Sequence, residues 1–349
     1  MSGGFMAVSC KQIAEMAGVS RQAAASVLNG AEKCLVSKEK KELILKLAGE
    51  LNYVRNNAAR TLVRGKSGLV GILSGGFHVK RTGLFIINMD KMLRDAGFLP
   101  VIIYTRSECP SIVNGIRSLL QQNVDALIIN GLFPDKKGNT ISTLKNQGLL
   151  DMVPTLLTNS GHRAECDTVY FNYEKVIEQV CTKAAKSSFK SVKSFIRRSE
   201  NFAGTYEAGI AIQQIVKNLN IADSQEIAIY SSQPLSASDY KTDILSEVHK
   251  SMQNIVPGTL YLCDTGFCAI QVTALLLKKH GKFPADSAVI AFDHTENCGY
   301  FSPGISSVEL NFDSFTQKCW ELLKCRMDHP DIPVQTADIQ ADFIERETF

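Results

Sequence analysis

Arg21 and Gln22 stand side by side just after Ser20, at the start of a short apolar-periodic segment. A guanidinium can give two parallel hydrogen bonds to the edge of guanine, and a carboxamide can pair twice with the edge of adenine. At the first turn of a helix lying in a major groove, both side chains would reach base edges. An ordinary solvated helix surface is the alternative for the same two residues. Ser20 and Asn29 flank the segment, and their types suit phosphate contact or helix capping.

Other chemistries find fewer residues. The sequence contains no Gly-x-Gly-x-x-Gly, no Gly-x-x-x-x-Gly-Lys-Ser/Thr and no Gly-x-Ser-x-Gly, so the usual phosphate cradles and the nucleophile elbow are missing. Its six histidines show no metal-ligand spacing, and His294 beside Asp293 fits the lip of a cleft better than a catalytic base. The ten cysteines are scattered without a Cys-x-x-Cys pair, which reads as reduced, buried small hydrophobes rather than staples or ligands. Neither a metal nor a cofactor is expected, and an enzyme is the alternative class rather than the first one.

Charge is distributed unevenly. Residues 1–65 carry ten Lys/Arg against five acids, and the remaining chain carries 28 against 30. A basic head on a slightly acidic body points to a polyanionic partner at one end. With 349 residues, the chain exceeds a single core, so a small domain joined to a larger or two-lobed one is expected. The first residues lack a basic stretch followed by an apolar one, and no run is long enough to span a bilayer. The chain therefore reads as cytoplasmic.

Three short helices must position the pair. Ser9 can cap a helix to Ala17, with Ile13, Ala14 and Ala17 on one face and Gly18 ending it. Ser20 can cap a second helix, Arg21 to Leu28, with Ala24, Val27 and Leu28 inward and Asn29-Gly30 stopping it. Ser37 starts a third, whose apolar face is Leu43, Ile44, Leu47 and Leu51. Two helices joined by a tight turn, with a third across them, form a helix-turn-helix unit.

The runs Ile13-Ala-Glu-Met-Ala-Gly-Val-Ser20, Ser26-Val-Leu-Asn29, Val36-Ser37, Leu51-Asn-Tyr53 and Asn56-Asn-Ala-Ala-Arg-Thr-Leu62 follow in order. On these residues the head resembles the lac-repressor/purine-repressor (LacI) family of bacterial regulators. The resemblance implies double-stranded DNA as partner, read by a homodimer as a pseudo-palindromic operator. Ser20, Arg21, Gln22, Ala25, Ser26 and Asn29 would then meet DNA from the second helix. Residues 54–66 would form a hinge that folds on DNA, with Arg60 on the backbone and Leu62 wedged into the minor groove to bend the duplex; a plain linker is the alternative. Three departures stand out. Ala23-Ala-Ala-Ser26 replaces the family's usual Thr-Val-Ser-Arg, Gln12 replaces a common acid, and Arg55 replaces a customary proline.

From residue 67 the pattern changes to short apolar runs alternating with helix-length segments. Strands are expected at Leu69–Leu73, Val101–Tyr104, Ala126–Ile129, Thr155–Leu157, Val192–Ile196, Ile227–Tyr230, Thr259–Leu262 and Ala288–Phe292. This predicts two doubly wound α/β lobes. We place the first at about 67–166 and 300–328, and the second at about 167–299 and 329–349. The helix-turn-helix domain spans 7–53. Ligands of such sheets sit at strand carboxyl ends, here a cleft between lobes. Cys263-Asp264, Gly281-x-x-Pro284, Ala291-Phe-Asp293, Pro303-Gly-Ile-Ser-Ser-Val308, Arg346 and Thr348 extend the resemblance to that family, whose sensor domain is similar to a periplasmic sugar-binding protein. Many members bind sugar with an arginine, an asparagine and an aspartate. Those positions correspond here to Tyr206, Cys263 and Asp293, so only the aspartate is kept. Each unpaired buried polar group costs about 1–3 kcal/mol. Two losses in three therefore disfavour a simple sugar and leave a carbohydrate-related or less polar effector at Tyr206, Cys263, Asp264 and Asp293. Asp293 also fits a structural turn acid. No heptad tail follows Arg346, so a dimer is expected rather than a tail-mediated tetramer.

Overall fold

A computed structural model describes residues 8–28, 35–53, 65–74, 80–105, 109–131, 139–158, 165–199, 207–231, 237–293 and 296–349. The chain divides into two compact units, Met1–Ser67 and Gly68–Phe349.

The first unit holds α1 (Cys10–Ala17), α2 (Arg21–Leu28) and α3 (Lys38–Glu50). Ser9 closes a reciprocal cap on α1. Its hydroxyl accepts from the Gln12 amide at 3.3 Å, while its own N–H donates to Gln12 Oε1 at 2.8 Å. Gln12 thus has a local structural role at the first turn. Gly18 ends α1 in the left-handed conformation at φ 62°, where a side chain is disfavoured. Ser20 caps α2 by accepting from the Ala23 amide at 3.1 Å, and Ser37 caps α3. Ile13, Ala14, Ala17, Ala24, Val27, Leu28 and Ile44 form the buried core, with Leu47, Leu51 and Tyr53 half-buried against it. Leu43, expected on the inward face of α3, is exposed instead. The buried stripe runs through positions 44, 47, 48 and 51, and Leu43 falls to one side of it.

The second unit alternates strand and helix: β1 (Leu69–Ser74), α4 (Lys80–Asp95), β2 (Leu99–Tyr104), α5 (Cys109–Gln121), β3 (Ala126–Asn130), α6 (Asn139–Asn146), β4 (Thr155–Thr158) and β5 (Asp167–Asn172). It continues through α7 (Glu174–Ala184), β6 (Ser191–Ser199), α8 (Glu207–Leu219), β7 (Asp223–Ser231), α9 (Ala237–Ser251), β8 (Thr259–Cys263), α10 (Gly266–His280) and β9 (Ala288–Ala291). The last elements are α11 (Glu296–Tyr300), β10 (Ser306–Glu309), α12 (Phe312–Asp328), β11 (Thr336–Gln340) and β12 (Asp342–Ile344).

Two six-stranded sheets result, ordered β11-β5-β4-β3-β1-β2 and β12-β10-β9-β8-β6-β7. All pairings are parallel except β10 with β12. Each sheet reverses its winding between its first strand and the third it pairs with, the point at which doubly wound folds open a crevice. Helices cover the sheets closely: a Cβ at Gly115 of α5 would lie 2.5 Å from Leu73 Cδ1 on β1.

The lobe boundaries differ from those expected. Asp167–Asn172 and Thr336–Gln340 belong to the first sheet, whereas Ser306–Glu309 belongs to the second. The chain therefore changes lobes after Asn172, between Glu309 and Phe312, and at Ala341, rather than at 167, 300 and 329. β11 and β5 mix polar with apolar residues, so neither stands out as an apolar run. α12 returns to the first lobe, where Phe315 stacks on Phe171 with ring centroids 4.4 Å apart. At the first crossing Tyr173 stacks on Phe292 of the second lobe, centroids 6.5 Å apart.

Candidate nucleic-acid interface and ligand site

The turn after Gly18 places Ser20, Arg21 and Gln22 at the exposed amino end of α2. The Arg21 and Gln22 side chains make no hydrogen bond or ion pair among the described residues. Both are therefore available to an external partner. Ala25 and Ser26 lie half-buried one turn on, while Ala24, Val27 and Leu28 face the core. Lys40 is exposed, and its Nζ donates to the Ala17 carbonyl at 2.7 Å, supplying one of the carbonyls that α1 leaves open at its end. Asn29, Arg60, Leu62 and the hinge segment 54–64 lie outside the described residues.

In the second unit, Cys263, Asp264 and Asp293 come together at the carboxyl ends of neighbouring strands. Cys263 closes β8, Asp293 follows β9 by two residues, and Phe292 N–H donates to the Cys263 carbonyl at 2.7 Å. All three side chains are buried. Tyr206 lies outside the described residues. Asp264 is held by Arg197 near the end of β6: the Arg197 amide donates to Oδ2 at 2.6 Å and its Nε at 2.9 Å. These side chains are 1 % and 8 % exposed, a desolvated ion pair. Asp264 Oδ1 is buried without a hydrogen-bond partner, so a lone pair there calls for an N–H or O–H donor from water or a ligand.

Arg197 was not anticipated from sequence. Its signal was a charged residue closing the apolar run Val192–Ile196, where burial demands a partner. The first sheet carries a similar unanticipated set at its strand ends. Asn130 Nδ2 donates to Ser74 Oγ at 3.0 Å, and Thr158 Oγ1 donates to Asn130 Oδ1 at 2.7 Å. Burial pushes the Cys268 thiol well above its ordinary range, and neighbouring Cys263 and Asp264 push it the same way. Its thiol therefore stays protonated and packs as a small hydrophobe.

A periplasmic binding protein-like domain family matches residues 195–349. The HTH-type transcriptional regulator KdgR of Bacillus subtilis is 22 % identical, the match covering 97 % of this chain and 96 % of that one. The catabolite repressor/activator of Escherichia coli is 21 % identical over 92 % of this chain and 93 % of its own. The likeness to these transcriptional regulators runs along nearly the whole chain. Among solved structures, the lac repressor dimer bound to operator and an anti-inducer superposes on this chain with a TM-score of 0.79. Identity there is 19 %, and the match covers 98 % of this chain and 99 % of that one. The fold is that of the lac repressor: a helical head followed by two α/β sheets of a periplasmic-binding-protein-like domain. Those relatives are named as regulators rather than enzymes. Among the described residues, no helix is long and apolar enough to cross a membrane. No three His, Cys, Asp or Glu side chains among them converge as a metal site.

Proposed function

We propose that this chain is a regulator of the LacI family: a homodimeric, sequence-specific DNA-binding repressor whose operator affinity responds to a small molecule bound between its α/β lobes. The observation that carries the DNA-reading part is the exposed, unengaged pair Arg21 and Gln22 at the amino end of a capped helix-turn-helix segment. Ala25 and Ser26 add only a small contact surface. Base discrimination therefore falls mainly on the first turn of α2, with Ser20, Asn29 and Arg60 on phosphates and Leu62 at the minor groove. Each dimer head reads one half-site, so the operator is approximately palindromic.

Arg21→Ala and Gln22→Ala each weaken binding to the preferred duplex by about 1–3 kcal/mol. Neither changes binding to a scrambled duplex as much. Arg60→Ala weakens both duplexes alike and reduces the salt slope by about one. Fluorescence anisotropy across a salt series separates the two patterns. Equal losses on both duplexes from the α2 variants would reduce Arg21 and Gln22 to unspecific surface.

The effector reading rests on the polar groups gathered at the strand carboxyl ends. One similar solved structure is a regulator in complex with cellobiose, and one relative is the ribitol operon repressor of Klebsiella aerogenes. A carbohydrate-related metabolite is accordingly the class to screen first. Cys263 lacks the paired donor and acceptor of a carboxamide, so a ligand with fewer hydroxyl groups at that point fits better. A true effector raises the melting temperature of the chain, because binding the folded state stabilises it. Asp293→Ala should abolish that shift while leaving ligand-free DNA binding intact. A ligand whose shift survives Asp293→Ala would remove Asp293 from the site.

A further inference from the structure

A cavity of about 380 Å³ opens at the opposite end of the second sheet from Cys263, Asp264 and Asp293. Phe189, Phe283, Asp286, Ser287 and Glu347 line it, together with Lys183. Its place follows from the chain: Phe189 precedes β6, and Ser287 immediately precedes β9. One wall is fixed by Thr348, whose buried hydroxyl donates to the Val289 carbonyl at 2.7 Å and accepts from the Ser306 amide at 2.9 Å. The volume falls within the range that holds small molecules.

The charge of the lining selects a class of ligand. Lys183 Nζ lies 2.6 Å from the Glu345 carboxylate and 2.6 Å from a main-chain oxygen of Phe349, so its charge is already met. Asp286 and Glu347 carry no ion pair or hydrogen bond among the described residues. Ser287 is 8 % exposed, and its buried Oγ has no hydrogen-bond partner. The half-buried Phe283 ring supplies an apolar face. Two uncompensated carboxylates, an unused buried hydroxyl and an aromatic face suit a cation with an apolar body.

We propose that this cavity binds a small protonated organic amine, its ammonium paired with Asp286 and Glu347 and its apolar part against Phe283. This site is separate from the effector site at the strand carboxyl ends. Benzylammonium is the probe, with benzyl alcohol as its uncharged counterpart, titrated into the full chain and followed by calorimetry. Benzylammonium should bind saturably and one to one, and benzyl alcohol about tenfold more weakly. Asp286→Asn combined with Glu347→Gln should remove that preference, while Asp293→Ala should leave it unchanged. Three results would overturn the proposal: no saturable binding at millimolar concentration, equal binding of the alcohol, or binding lost in Asp293→Ala but kept in the double variant.

Discussion

Asp264→Ala should lower the folding stability of the second unit by about 3–5 kcal/mol, the cost of breaking a buried ion pair. Arg197 cannot escape by losing its proton, because a guanidinium stays charged in proteins. With the carboxylate gone, its Nε and main-chain N–H both lose the oxygen they now share at 2.9 and 2.6 Å. Water cannot readily replace that oxygen where the two side chains are 8 % and 1 % exposed. Removing both charges with Arg197→Met and Asp264→Leu should recover much of the loss, since the desolvation of both ions is then avoided. Denaturant unfolding of the single and double variants measures this coupling. A single-variant loss below about 1 kcal/mol would be that of a solvated surface pair and would reject the buried geometry.

Arg326→Ala should cost a comparable amount, again about 3–5 kcal/mol. Arg326 in α12 clamps Asp167 of β5 through Nε at 2.8 Å and Nη2 at 2.7 Å. The same guanidinium donates to the carbonyls of Pro330, Ile332 and Pro333. Asp167 in turn accepts from the Gln335 amide at 2.8 Å. This cluster fixes the turn that delivers β11 to the edge of the first sheet. Arg326→Lys should rescue little, because an ammonium cannot reproduce the planar fork. The variant should also become sensitive to proteolysis within residues 329–335, as a locally opened segment does. Wild-type stability together with an uncut 329–335 turn would show that α12 packing alone holds the strand.

The head was legible almost residue by residue. Its caps are side chains acting on amides three positions away, so Ser9, Ser20 and Ser37 could be read from local sequence. The body was legible wherever strands are buried on both faces, as in Ala126–Asn130 and Thr259–Cys263, because such strands form unbroken apolar runs. β11 was not legible: its burial alternates between exposed and half-buried along Thr336–Gln340. Its partner β5 lies about 170 positions earlier, so no local signal marks the pairing. The same limit hid Arg197, whose partner Asp264 lies 67 positions away. Position in the sequence brought Cys263, Asp264 and Asp293 under consideration. The ion pair that holds Asp264 emerged only from the packing of β6 beside β8.

In the function we propose, the first turn of α2 reads base edges in a two-fold symmetric operator. Selection of duplexes from a random-sequence library, using the full chain, tests it most directly. The expected result is an approximately palindromic motif, with one position per half-site relaxed in Arg21→Ala and a different one relaxed in Gln22→Ala. Enrichment of no motif, or of the same motif by wild type and both variants, would contradict it.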